Sequence, residues 1–296
     1  MKISVITWDG NFREYTHTID FFANQEFDKN EYEFIWVDFY NSNDRVRQKI
    51  ENYPNTRLIT LGNSPDTLWH IGKCINEGVK NSSGELLVIP DGDIVVELDF
   101  LTYVWNAHQK CQDMALYFHR YDEPSEPGSK KDRVLMPHLR KHSKLLNPVN
   151  YAGSLSLRRI NFDKINGYET HKTFAGPGVI GRDAYIRLCN LGMAIKWAPD
   201  KNVYHPWHPS SGSAGHDDRK ALWLAVSKHK WIIPYAGLEQ SWIIRCRALS
   251  GDTVADETLC DKYIARMDKV DMQFYRRLAK LLSSRLMESV IHQLSK

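Results

Sequence analysis

Asp91 and Asp93, separated only by Gly92, directly follow the apolar run Leu86-Leu87-Val88-Ile89-Pro90. From an extended or turning backbone both carboxylates can reach one point, and two hard oxygen ligands suit Mg²⁺ or Mn²⁺. Asp and Gly are also ordinary turn residues, so a strand-to-turn cap would use the same letters. Downstream, His205 and His208 follow an extended segment and precede the small-residue run Ser210-Ser211-Gly212-Ser213-Ala214-Gly215. Imidazole is a good third ligand for Mn²⁺ when carboxylates supply the others, and such a run suits a lid that orders on ligand binding. Asp183 enters a helix from the glycine-rich stretch 176–181. In a first helical turn a carboxylate is favoured by the macrodipole whatever its function.

Carboxylates at strand ends form a site only if the strands lie side by side. Lys2–Trp8 reads as a buried first strand, with Thr7 and Asp9 at its tip; Tyr32–Val37 is a second, ending in Asp38; Arg57–Leu61 is a third. Helical periodicity predicts helices over Phe12–Gln25, Asp44–Tyr53 and Thr67–Lys80, the last with Leu68, Ile71, Cys74, Ile75 and Val79 on one face. Strands alternating with helices imply βαβ units and a mostly parallel sheet, whose ligands bind past the carboxyl ends of the strands. By that rule Asp9, Asp38, Asp91 and Asp93 converge on one rim. Beyond them, Asp99–Cys111 reads as helix and Met114–His119 as strand. Tyr121–Asn147 reads as a long polar, basic loop. Tyr151–Leu157 reads as strand, and Phe162–Asn166 and Asp183–Leu191 as helices, the latter with Gly192 as its C′ residue. Ala194–Trp197 and Asn202–Tyr204 read as extended.

The chain has 296 residues, 42% apolar and 25% charged, which suits a soluble protein with a sizeable core. A net charge of +3 is too mild to imply nucleic acid. No apolar run is long enough to cross a membrane, and the five widely spaced cysteines form no CxxC pair, which points to reduced thiols in the cytoplasm. Neither a GxGxxG after the first strand nor a GxxxxGK[ST] occurs, so a bound nucleotide would need another counter-charge for its phosphates, such as a metal on Asp91 and Asp93.

Asn76-x-Gly78, then Ser83-Gly84, the apolar strand and Asp91-Gly92-Asp93, resembles the family 2-like glycosyltransferases of the GT-A fold, over roughly Met1 to Asp218. The second half is similar to their galactosyl- and N-acetylgalactosaminyltransferase subgroup, through Gly153, Phe162, Gly167-Tyr168-Glu169, Gly176 to Gly181, Asp183 and His205. One departure is Arg182-Asp183, where that subgroup has an acidic pair. The resemblance implies an α/β GT-A (Rossmann-like) fold with a mixed, mostly parallel sheet. It implies transfer of a sugar from a nucleoside diphosphate donor, a UDP-sugar, to a hydroxyl of a saccharide or glycoconjugate, as in polysaccharide synthesis, with inversion and with Mn²⁺ or Mg²⁺. It places Asp183 as base, and Asp93, helped by Asp91, with His205 or His208 on the metal. Thr7 and Asp9 would flank the nucleoside and Asp38 would recognise base or ribose. Asn76, Asp91, Gly153 and Gly178 would complete the nucleotide-sugar site.

The expected organisation is a catalytic domain over 1–220, with a nucleotide-sugar half to about 115 and an acceptor half from about 116. A helical extension over 221–296 follows, with helices at Leu222–Lys230, Ser241–Leu249 and Glu257–Ser295. That extension reads as an appendage packed on the catalytic domain or on a second copy. A basic amphipathic helix resting on the inner face of an anionic membrane is the other option. Two other function classes fit less of the sequence. A non-catalytic nucleotide-sugar or carbohydrate-binding module would be consistent with Arg182. A sugar-1-phosphate nucleotidyltransferase would need a Gly-rich basic loop after the first strand, where Thr7-Trp8-Asp9-Gly10-Asn11 stands.

Overall fold

The computed structural model describes residues 1–208 except 12, 14, 42–43, 126–133, 149, 152, 171–174 and 176–178. Gly178, the small-residue run after His208 and the C-terminal helices therefore lie outside the described residues. The strands are β1 (Ile3–Asp9), β2 (Tyr32–Asp38), β3 (Thr56–Thr60), β4 (Leu86–Pro90), β5 (Met114–Asp122), β6 (Lys144–Asn147), β7 (Ser154–Arg158) and β8 (Ala194–His205). Between them lie helices α1 (His17–Ala23), α2 (Asp44–Glu51), α3 (Ile71–Lys80), α4 (Phe100–Lys110), α5 (Met136–His142), α6 (Arg159–Lys164) and α7 (Val179–Asn190).

The described chain divides into two compact units. The first holds residues 1–67, 74–161 and 194–208, and with them the whole sheet. Its strand order is β3-β2-β1-β4-β7-β5-β6, with β8 on β5. Four of the seven strand pairings are parallel (β1 with β2 and β4, β2 with β3, β5 with β8); the three around β7 and β6 are antiparallel. β1 and β4 are buried along their whole length, as continuous apolar runs covered on both faces should be. Phe22, Phe34, Trp36, Phe100 and Phe118 fill the core of this unit. α3 comes unusually close to the sheet: a Cβ on Gly78 would meet Ile6 Cγ2 at 2.5 Å and Val37 Cγ2 at 3.0 Å. The glycine of Asn76-x-Gly78 thus has a packing cause.

The second unit comprises 68–73 and 162–193. Here the chain turns at Asn166 and Gly167, both at positive φ (54° and 63°), before α7. Ile180, Ala184 and Leu188 form a buried stripe on α7. That stripe carries the helix upstream to Val179, so Asp183 stands in its second turn, and the expected first-turn placement with its macrodipole stabilisation does not apply. Gly192 at φ 83° follows α7, as a helix-ending residue should.

Other expected boundaries also move. α1 is shorter than 12–25, because Gln25 turns its amide to Phe21 O and Glu97 O and its carbonyl to Leu101 N, instead of continuing the helix. Tyr121–Asn147 is no simple loop: β5 runs on to Asp122, and α5 and β6 follow. β6 is a short, mostly exposed edge strand, so it lacks the apolar alternation that marks a strand in sequence. The two extended pieces after Gly192 are one strand, β8, whose register on β5 shifts between Tyr117, paired with Trp197, and His119, paired with Asn202.

Candidate functional site

Backbone pairing builds the site. The Thr7 hydroxyl donates to Pro90 O (3.0 Å), tying the tip of β1 to the end of β4. The Asp91 amide donates to Gly153 O (3.1 Å), so the turn after β4 is held from the β7 side as well. Val95 and Tyr204 then exchange two backbone hydrogen bonds (2.8 and 2.9 Å), clamping that turn onto β8. Asp93 lies two residues before one end of the clamp and His205 one residue after the other. In the β5–β8 register Asp122 stands opposite His205, and the Glu123 amide donates to His205 O (2.9 Å). Glu123 Oε2 accepts the Trp207 amide (3.0 Å), which fixes the segment carrying His208.

The result is a three-residue cluster of Asp93, His205 and His208, whose ligand atoms all lie within 4.8 Å of one another. Asp93 Oδ2 is 3.8 Å from His205 Nε2 and 3.6 Å from His208 Nε2, and the two Nε2 atoms are 3.1 Å apart. Three mutually cis ligands of an octahedral ion with bonds near 2.1 Å lie about 3 Å apart, so these atoms need to close by less than about 1 Å to hold one divalent ion. Two further observations support the fit. Asp93 Oδ1 is buried without a hydrogen-bond partner among the described residues. His205 Nδ1 lies 3.1 Å from Asp122 Oδ1, which leaves Nε2 as the nitrogen that can ligate.

Arginines balance the carboxylates. Arg13 Nη1 donates to Trp8 O (2.8 Å) and Asp9 Oδ1 (2.9 Å), while its Nε donates to Asp93 Oδ2 (3.3 Å). Arg120 pairs with Asp122 (3.1 Å) and Asp91 (3.6 Å). Burial raises the Asp93 pKa, but Arg13, the histidine hydrogen bonds and the charge on His205 overcome it and hold it well below the usual range. Asp91 is pushed up to about 6 by burial and by repulsion from Asp93, against the pull of Arg120, Arg13 and His205. Burial disfavours charge on His205, yet its hydrogen bonds to Asp122 and Asp93 raise it to about 9. Asp38 is raised to about 6 by burial and by Asp9, its register partner across β1 and β2; its Oδ1 accepts the Tyr40 amide (3.2 Å), and its Oδ2 is buried without a hydrogen-bond partner among the described residues.

Asp9, Asp38, Asp91, Asp93, His205 and His208 are thus gathered at one end of the first unit. Asp91 faces Arg120 and stands outside the three-residue cluster. Thr7 is fully buried, with its hydroxyl spent on Pro90. Asn76 is on α3 and Gly153 just before β7. Tyr151 packs in the core, edge-on to Tyr117 with centroids 5.7 Å apart, whereas Trp207 walls a small concavity beside Asp93 and His208, with Tyr15, His17 and Glu123. Asp183, in the second unit, is fully buried; its Oδ2 accepts from Arg187 Nε (3.0 Å) and lies 2.8 Å from Nη2 in the same ion pair, and Arg187 also donates to Ile165 O and Gly167 O. Arg13, Arg120, Asp122 and Glu123 were not singled out from sequence. For the last two the only available signal was adjacency: two acids end a strand-like run.

No family model and no curated protein sequence matches the chain. Solved structures do. S. aureus TarS 1–349 in complex with UDP-GlcNAc aligns over 98% of this chain and 78% of its own, at 18% identity and TM-score 0.56. The mannosyltransferase PcManGT from Pyrobaculum calidifontis, in complex with GDP-Man and Mn²⁺, aligns over 98% and 86%, at 13% identity and TM-score 0.52. GalNAc-T7 with UDP, GalNAc and Mn²⁺ aligns over 96% and 58%, at 12% identity and TM-score 0.58. At such identities the likeness is one of architecture, and it agrees with the mixed eight-stranded sheet: the chain has the GT-A fold of nucleotide-sugar glycosyltransferases.

Proposed function

We propose that the protein is a metal-dependent glycosyltransferase that moves a sugar from a UDP-sugar to a hydroxyl of a saccharide or glycoconjugate, with inversion. The observation that carries this is the convergence of Asp93 Oδ2 with the Nε2 atoms of His205 and His208, at the carboxyl ends of the strands where this fold binds ligands. In this role those three residues hold Mn²⁺ or Mg²⁺, and Asp122 keeps His205 in the tautomer that ligates. A divalent ion supplies Lewis-acid stabilisation of the charge that develops on a leaving diphosphate. The unmatched Asp38 Oδ2 is an acceptor for a ligand N–H or O–H, which a uracil imide or a ribose hydroxyl would satisfy. Asp183, carried over from the family resemblance, takes the proton of the acceptor hydroxyl as general base.

The test is incubation with a panel of nucleotide sugars and Mn²⁺, following free nucleoside diphosphate. Slow UDP release that disappears in Asp93→Ala is the expected result. Release unaffected by that substitution would refute the site. One observation favours a second role, a nucleotide-sugar-binding module without turnover: Arg187 already engages Asp183 from a buried position. Tight UDP-sugar binding with no diphosphate release, with any acceptor tried, would select it.

A further inference from the structure

Arg13 sits at the centre of the acidic site and has no part in the chemistry just described. It is nearly buried, with a side-chain exposure of 7%, and joins the β1 tip (Trp8 O, Asp9 Oδ1) to Asp93. Its guanidinium lies on Gly92: a Cβ there would meet Arg13 Cζ at 3.0 Å and Nε at 3.1 Å, besides Trp8 O at 2.6 Å. The residue between the two aspartates is therefore one whose missing side chain makes room for a cation. The oxygen that Arg13 holds is Oδ2, which is also the oxygen that faces both histidines. A guanidinium and a dication cannot both hold that oxygen without mutual repulsion.

We propose that Arg13 is the resident cation of this site: without metal it neutralises Asp9 and Asp93, and a divalent ion binds by taking Asp93 Oδ2 from it. Arg13 thereby sets metal affinity. This rests on Asp93 being a metal ligand but not on any transfer reaction, so it can be tested without donor or acceptor. Charge is the operative property. A neutral side chain that can still donate to Trp8 O or Asp9 leaves Asp93 open to the ion, whereas a lysine keeps the competitor.

The experiment is calorimetric titration of MnCl₂ into the full chain, as wild type, Arg13→Gln and Arg13→Lys. The expected result is Mn²⁺ binding about tenfold tighter in Arg13→Gln than in wild type, with Arg13→Lys within about threefold of wild type. Thermal unfolding supplies a second readout: Arg13→Gln melts lower than wild type without metal and gains more from Mn²⁺. If Arg13→Gln does not fold alone, folding restored by millimolar Mn²⁺ supports the proposal, because the ion replaces the lost charge; failure to fold with Mn²⁺ overturns it. Equal or weaker Mn²⁺ affinity in Arg13→Gln also overturns it while leaving Asp93 as a ligand. Absence of Mn²⁺ binding in all three proteins overturns both.

Discussion

Lowering the pH should destabilise this fold through His108, a residue far from the acidic site. His108 is on α4, fully buried, with Nε2 2.9 Å from Ser156 Oγ on β7. Its Nδ1 is buried without a hydrogen-bond partner among the described residues. Burial, reinforced by the Arg158 charge and opposed only by the contact with Ser156, lowers its pKa from 6.5 to about 4. The folded protein therefore keeps His108 neutral while the unfolded chain protonates it. Stability from this source is complete above pH 6.5, falls as the pH drops through that value, and levels off near pH 4. At about 1.4 kcal/mol per unit, the gap amounts to about 3 kcal/mol lost by pH 4. The measurement is urea unfolding of wild type and His108→Gln between pH 7.5 and 4. A glutamine amide can still reach Ser156 Oγ but does not titrate in this range, so the variant should start about 1–2 kcal/mol weaker at pH 7.5 and lose ground more slowly. Other groups, including Asp38 and Asp91, which are raised to about 6, titrate alike in both proteins and cancel in the difference. Parallel profiles for the two proteins would refute the reasoning.

Asp122→Asn should weaken Mn²⁺ binding about 10–100-fold in calorimetry, because His205 loses the carboxylate that orients its ring; unchanged affinity would remove Asp122 from the site. Gly78→Ala should lower urea-derived stability by about 1–3 kcal/mol, since the new methyl drives α3 off Ile6 and Val37; a neutral effect would show that the helix can retreat freely.

The sequence showed the parallel half of the sheet clearly and its other half poorly. β1, β2 and β4 are near-continuous apolar runs between turn residues, and α3 carries its face at helical spacing, so periodicity alone finds them. β6 pairs along one edge with three of its four residues exposed, and α5 lies in a polar, proline-bearing stretch where composition suggests loop. Both are held by tertiary contact rather than local preference. The motif around Asp91 mixes two causes that look alike as letters. Gly78 and Gly84 are set by packing: a Cβ on Gly84 would meet Ser4 N at 2.3 Å. Gly92 makes room for Arg13. Asp93, His205 and His208 stood out from sequence by type and spacing and are neighbours in the structure. Arg13 and Asp122 did not: a single arginine in a polar segment carries no signal before the turn after β4 brings it to its partners, and a strand read as ending at His119 left Asp122 in the expected loop, whereas β5 runs on to Asp122 opposite His205.

The paired hydrogen bonds between Val95 and Tyr204 also bear on the order of assembly. They join segments far apart in the chain, and the candidate ligands flank them on either side. Asp93 and the two histidines cannot meet until β8 has docked along β5, which is among the most sequence-distant pairings in the sheet and so carries a high closure cost. A metal-binding signal during refolding would therefore mark the closing of the first unit, arriving after the β1–β2–β3 half has formed. An ion bound there would in turn resist the opening of β8 and slow the unfolding of the whole sheet, not only of the turn it touches.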